Sequence, residues 1–488
     1  MAPEYKMEVL DRPDIQGLIF RAYQELRLAR YYLLKIEDAV AFKQWLAERI
    51  GHGDVITAAD RPEQYTRALN LAFTATGLRK LDVDPEPNAN GHDGFGLEFR
   101  EGMIQPDRSR FLGDVEENHP RHWVWGGPQG QQSHDHIDCL CLLFARNAEA
   151  IDESWTRLGT SDAAASVCHS IDAYLTPDGK EHFGFKDGIS QPIIRFTKRD
   201  YETAAPDRAL HVVEAGEFIL GYQNQNGRMP VSPTVSGARD SGNRLGPLVR
   251  RWRWGRRSRL DGLRDFGRNG TYLVLRQLHQ DVPAFERFLT ATAGEDRARQ
   301  DHLAARIVGR WRSGTPLALS PDEDKQLPDE DLNRFGYFAQ DSCGYRCPVG
   351  AHVRRGNPRD STSEIDGQTH ALERVNFHRL LRRGRLYGPP VQADGARSTD
   401  DRGLMFLCLN ADLRRQFEFV QQTWVNSRKF GDLYDEDDPL VGRCSSFTVQ
   451  RPEGHQRVDG LQRFVTVKGG AYFFMPGIRA LQCLADTA

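Results

Sequence analysis

Nowhere does this 488-residue chain hold an apolar run approaching the ~20 residues that a bilayer-spanning helix needs. A charge excess is missing as well: 65 Lys and Arg stand against 68 Asp and Glu, a net charge of −3. No broad basic field therefore invites nucleic acid. The local run Arg250-Arg251-Trp252-Arg253-Trp254-Gly255-Arg256-Arg257 reads as a solvated basic loop. Cysteines are few and scattered (Cys139, Cys141, Cys168, Cys343, Cys347, Cys408, Cys444 and Cys483), with no Cys-x-x-Cys pair. That argues against a zinc ribbon or an iron–sulfur cluster. Met1 to Gln16 carries charges and a proline but no apolar signal core, so the expectation is a cytoplasmic protein with reduced thiols.

What is present fits a globular protein: 39% hydrophobic and 27% charged residues. The length exceeds what one core usually organises, so more than one domain is expected. Residues 29–36 read as a strand, and Phe42, Trp45, Leu46 and Ile50 have helical spacing over 39–50. Residues 68–81 read as a strand and a short helix around Thr76-Gly77-Leu78. Residues 136–145 read as a long apolar strand, with a helix over 147–158. The second half repeats the rhythm: strand 270–278 with helix 281–292, and strand 403–410 with an amphipathic helix over 411–424. Such units in both halves imply two α+β domains of related design. Two polar stretches, 85–107 and 222–268, read as loops. A strand over 217–222 sets the domain boundary near Gly216, giving domains 1–215 and 216–488.

Three segments carry chemistry. In Gly184-Phe185-Lys186-Asp187-Gly188-Ile189-Ser190-Gln191-Pro192, two glycines bracket an acid, and such a turn presents Asp187 towards a cavity. In Cys347-Pro348-Val349-Gly350-Ala351-His352-Val353-Arg354-Arg355-Gly356-Asn357-Pro358-Arg359, one histidine is followed by arginines. Imidazole is the commonest proximal ligand of peroxidase iron, and arginines pair with haem propionates. The third, Asn376-Phe377-His378-Arg379-Leu380-Leu381-Arg382-Arg383-Gly384-Arg385-Leu386-Tyr387-Gly388-Pro389-Pro390, is arginine-rich and closes on Tyr-Gly-Pro. The strand Gly403-Leu404-Met405-Phe406 follows it.

In this order and spacing the segments resemble those of the dye-decolourising haem peroxidases, in one of the family's larger branches, from about Asp14 onward. The resemblance implies two ferredoxin-like domains, each an antiparallel sheet flanked by helices. Haem b (iron protoporphyrin IX) would lie between sheet and helices of the second. It implies His352 as iron ligand, Asp187 as distal acid–base and Arg382 as distal arginine. Phe185, Gly188, Ile189 and Arg354 would be haem contacts, and Leu404 with Phe406 the apolar distal wall. Gly384 stands where another branch has Asn. Glu418 is expected to accept the second N–H of the ligand imidazole. The implied reaction reduces hydrogen peroxide and oxidises dyes, phenolics or similar donors through a ferryl–porphyrin radical, in a monomer or homodimer.

Tyr345, Tyr387 and Trp424 lie near these segments as radical-relay candidates, against the plainer reading of packed aromatics. Two further functions stay open. A haem carrier or sensor needs His352 but neither Asp187 nor Arg382. A non-haem metal site would use His134 and His136 with His92 or Asp138. The acidic runs Asp322-Glu323-Asp324 and Asp435-Glu436-Asp437-Asp438 read as solvated loops, with manganese oxidation the alternative.

Overall fold

Two stretches of the chain repeat one order of elements: strand, helix, strand, strand, helix, strand. The computed structural model describes residues 10–60, 65–86, 94–130, 132–251, 257–361, 368–391 and 400–486. The first stretch comprises β1 (Leu28–Ile36), α1 (Ala39–Gly51), β2 (Arg67–Phe73), β3 (Cys139–Ala145), α2 (Ala148–Leu158) and β4 (Ala165–Tyr174). The second begins with β5 (Thr271–Gln280) and α3 (Val282–Ala293). After α4 (Arg297–Val308) and α5 (His352–Gly356) come the short β6 (Leu381–Arg382), β7 (Arg385–Tyr387) and β8 (Gly403–Asn410). A wide-turn helix (Arg414–Glu418 and Val420–Val425), β9 (Val465–Met475) and α6 (Ile478–Ala485) complete it.

Each stretch folds as an antiparallel sheet with its first and third strands central, β2-β3-β1-β4 and β9-β5-β8-β7. This is the expected ferredoxin-like α+β arrangement. Single pairs, Phe73 with Phe474 and Tyr174 with Leu386, join the two sheets edge to edge, so the strands close into a barrel.

Alternation along each strand separates two environments. Tyr31, Leu33, Leu140, Leu142, Leu273, Leu275, Leu407 and Phe473 fill the barrel interior. In the first sheet the opposite face (Leu34, Leu69, Leu71, Leu143) is covered by Phe42, Trp45 and Leu46 of α1 and Ile151 and Leu158 of α2. Helix starts follow from the residues before them. Asp38, Asn147, Asp281 and Asp296 each accept an open N–H in the first turn, which fixes the N-termini of α1 to α4.

Several expectations are corrected. Residues 217–222 form no strand: a 3-10 turn (Ala215–Glu217) leads into buried Phe218, Ile219, Leu220 and Tyr222. Backbone bonds there go elsewhere, since the Glu217 carbonyl accepts from Ala411 N and Gln416 Nε2. An apolar run without alternation fits such a buried plug as well as a strand. His134–His136 is a 3-10 turn, so β3 starts only at Cys139. The stretch 85–107 contains a short helix, Leu97–Glu101. Within 222–268 the strands Thr234–Ser236, Pro247–Arg251 and Arg257–Asp265 pair antiparallel, so Arg250, Arg251 and Arg257 of the basic run lie in strands, and 252–256 lie outside the described residues.

Candidate active site

The outer face of the second sheet is only half covered. Tyr272 and Val274 pack into a core, but further along the same strands Arg276, Leu278, Gln280, Leu404, Phe406, Val465 and Val467 line a cavity of about 320 Å³. Its opposite side is built by α5, the wide-turn helix, Val308 at the end of α4 and the loop bearing Asp187.

His352 opens α5 and faces this cavity. Its Nδ1 lies 2.8 Å from Oδ2 of Asp438, whose Oδ1 accepts from Leu440 N (2.9 Å) and Val441 N (3.0 Å). Burial alone would raise the Asp438 pKa. The imidazole, Arg355 and the Val441 N–H outweigh it and hold the carboxyl below the ordinary aspartate range. Burial also opposes a charged His352, yet Asp438 reverses that and raises the imidazole pKa. With Nδ1 taken, Nε2 is the ring nitrogen left to ligate.

This overturns the expectation for Glu418. Its carboxylate accepts twice from Arg108 Nη1 (2.7 and 2.8 Å) and once from Tyr472 Oη (2.8 Å), and His352 is not among its partners. The acidic run is likewise no solvated loop. Glu436, Asp437 and Asp438 are buried, and Arg355 anchors the segment by donating to the carbonyls of Gly350, Trp424, Ser427 and Glu436.

Arg354 is corrected too. It sits two residues after His352, about 200° around the helix. There it donates to Asp341 Oδ2 (3.0 Å) and the Cys347 carbonyl (2.8 Å), away from the cavity. Among the cations that do line the cavity are Arg310, Arg359, Arg379 and Arg382. Arg359 and Arg379 stand inside the motifs already singled out, but both lie beyond the helices, in segments that the fold brings to the cavity. Burial, aided by Arg359 and Arg382, brings the Arg379 pKa down to about 9. The one hydrogen bond of its guanidinium among the described residues is a 3.5 Å contact to the Ser190 carbonyl. A buried guanidinium so poorly matched favours an incoming carboxylate.

Asp187 lies 3.2 Å from Nη1 of Arg382 and keeps 43% of its side chain accessible. Burial raises the carboxyl pKa, but Arg382, the Gly188 N–H and the facing His352 reverse that and leave it below the usual aspartate value. Gly184 has φ +88°, and a Cβ there would stand 2.6 Å from Arg312 Nη1, so this turn needs glycine. Phe185, Ile189, Leu404 and Phe406 line the cavity; Gly188 contributes its N–H rather than a wall. Gly384 also borders the cavity.

None of the three relay candidates lines the cavity. Tyr345 is exposed, Tyr387 is buried with its hydroxyl on Asp401, and Trp424 packs edge-on against His378. The alternative metal set is not assembled. Asp138 binds Lys80 and Ile36 N, His134 is half-buried with desolvation lowering its pKa, and His92 lies outside the described residues. No cluster of three metal-ligating side chains occurs among the described residues. Asp322, Glu323 and Asp324 are exposed. No helix among the described residues is long and apolar enough to cross a membrane.

The donor set suits haem: an imidazole with Nε2 open, an acid–guanidinium pair, apolar walls and the buried guanidinium groups of Arg359 and Arg379. No protein-family model matches the chain. Peroxidase 2 of Mycetinis scorodonius is 30% identical to it, over 97% of this chain and 87% of its own length. The dye-decolorizing peroxidase AauDyP1 of Auricularia auricula-judae is 28% identical over 97% and 86%. The solved structure of an ancestral D-type dye decolorizing peroxidase aligns with a TM-score of 0.77 at 25% identity, covering 98% of this chain and 100% of that one. The chain belongs to the dye-decolorizing peroxidases, a family of haem enzymes.

Proposed function

We propose that this chain binds haem b and reduces hydrogen peroxide while oxidising dyes, phenolics or similar one-electron donors. The observation that carries this reading is one cavity walled by His352, whose Nδ1 is taken by Asp438, and by Asp187 paired to Arg382. His352 would hold the iron through Nε2. Arg359 and Arg379 would take the haem carboxylates, and Phe185, Ile189, Leu404 and Phe406 would keep the reacting side apolar. The haem, when bound, supplies the electron exchange that O–O cleavage requires.

The residues supply proton handling. Asp187, ionised, takes a proton from one peroxide oxygen and returns it to the other, which departs as water. Arg382, always charged, stabilises the negative charge developing on the departing oxygen. An ordinary aspartate titrates near 3.9; held below that, Asp187 stays a base through mildly acidic pH. Residues 1–215 would thus contribute the acid–base and 216–488 the haem ligand, the division into two domains that we propose. Eight free thiols support a cytoplasmic setting.

The test is an absorption spectrum of the haem-reconstituted protein before and after one equivalent of peroxide, alongside Asp187→Asn and Arg382→Leu. A Soret band that shifts with peroxide, returns on adding dye and shifts more slowly in both variants supports the reading. A Soret band inert to peroxide leaves a haem carrier.

A further inference from the structure

The loop that carries Asp187 is closed from the inside by a second carboxylate, Glu181. Its Oε1 accepts from Phe185 N (2.8 Å), and its Oε2 accepts from Phe183 N (3.0 Å) and from Gln280 Nε2 at the end of β5 (2.5 Å). The backbone repeats the closure: Glu181 N donates to the Phe185 carbonyl (2.9 Å) and Gly184 N to the Glu181 carbonyl (2.8 Å). From outside, Arg312 donates to the Phe183 carbonyl and lies 5.2 Å over the Phe185 ring. Its other contacts run to Glu286 of α3 and Asp301 of α4. Downstream, Asp187 N donates to the Gly179 carbonyl (2.9 Å), and Lys186 is tied to Asp329. Glu181 therefore sits at the hub of the turn that aims Asp187, and it borders the same cavity.

We propose that Glu181 is the positioning residue for Asp187: by accepting both loop N–H groups and the Gln280 amide, it holds the turn at the geometry that places the distal carboxylate beside Arg382. The proposal rests on the peroxidase reading above and assigns the chemistry itself to Asp187. A carboxylate is the fitting residue because all three partners are donors and an ionised carboxylate only accepts. A glutamine puts an NH2 group against one of those donors. An aspartate is one methylene shorter and does not reach both N–H groups from the same backbone.

Charge enters with a definite sign. Burial raises the Glu181 pKa above the usual carboxylate range and Asp187 adds to it, while Gln280 and the two N–H groups oppose. Asp187 is shifted the other way. As pH falls, Glu181 protonates first, loses an acceptor and loosens the turn while Asp187 is still a base. The acid side of the peroxide-rate profile should therefore fall in two steps.

Two variants, Glu181→Gln and Glu181→Asp, are compared in the haem-reconstituted protein by peroxide rate against pH. In the haem-free protein, amide hydrogen exchange is followed in a peptide spanning residues 181–187. Both variants should keep the Soret band, exchange these amides faster and lose about 10²-fold in rate, the scale of an ångström-level misplacement. Glu181→Gln, neutral at every pH, should lose the upper acid step, whereas Glu181→Asp should retain one. Unchanged amide protection in both variants overturns the inference, as does a wild-type rate in Glu181→Gln with its upper step intact. Exchange is read without haem. Faster exchange with no peroxide chemistry in any protein, wild type included, therefore supports the hold on the loop while sinking the peroxidase reading.

Discussion

The two sheets share a strand order but differ in what their outer faces meet. On the first, α1 and α2 lie directly on the strands, and Phe42, Trp45, Leu46 and Ile151 close against Leu34, Leu69, Leu71 and Leu143 in one apolar core. On the second, β5 turns from Tyr272 and Val274 to Arg276 and Gln280, and the opposing helices stand off to leave a cavity. Collapse there would bury Arg379 and the Asp187–Arg382 pair against apolar walls away from water, a cost of several kcal/mol. The opposing wall is instead fixed from behind, by Arg355 on four carbonyls and Arg354 on the Asp341 and Cys347 segment. One topology thus yields a solid core or a site according to a few side chains on one face.

The sharpest break of that contrast is Asp187→Asn. It removes the base but leaves both sheets, the His352–Asp438 pair and the cavity wall intact. The expected loss in the peroxide step is about 10²–10⁴-fold, with the haem spectrum unchanged, measured by stopped-flow absorbance. No substitution in the first sheet's outer core should approach this once the protein is folded.

Stability should invert the ranking. Leu71 is wholly buried between β2 and the covering helices, so Leu71→Ala leaves a void and should cost about 2–5 kcal/mol. Leu404 borders space that already exists, so Leu404→Ala forfeits only partial burial, about 1 kcal/mol. Denaturant unfolding of the haem-free protein compares them directly. Equal losses would mean that the cavity wall is packed as tightly as the first core.

Legibility in the sequence follows the same division. The strands and helices of both units were readable because β1, β5 and β8, covered on both faces, carry near-continuous apolar runs, and because Asp38, Asn147 and Asp281 mark helix starts. The run 217–222 failed, since a buried plug carries no alternation to distinguish it from a strand. At the site, residues inside short motifs were legible: His352, Asp187 and Arg382 do meet in one cavity. What was missed depends on distant partners. Asp438 is 86 residues from His352, in an acidic run whose composition suits a solvated loop. Arg354 stands on α5 and turns away from the cavity, whereas Arg359 lies in the loop beyond the helix and lines it. Glu181 was silent because its role is to accept backbone N–H groups, which leaves no motif.

The smallest predicted effect tests the carboxylate that a local reading chose against the one that folding supplies. Asp438→Asn leaves the imidazole a hydrogen-bond partner without charge, so ligand basicity drops and haem affinity should fall about 10–100-fold. The Soret band of the reconstituted protein titrated with haem reads this directly. Glu418→Gln should leave that titration at the wild-type value, because Glu418 bonds Arg108 and Tyr472 instead. Its effect belongs to stability: Arg108 loses its buried counter-charge and keeps only Glu101, a loss of roughly 1–3 kcal/mol. A haem affinity that followed Glu418 rather than Asp438 would place the charge behind the ligand on the wide-turn helix. A fall confined to Asp438→Asn places it on the buried acidic run, where Arg355 and the N–H groups of Leu440 and Val441 hold it ready.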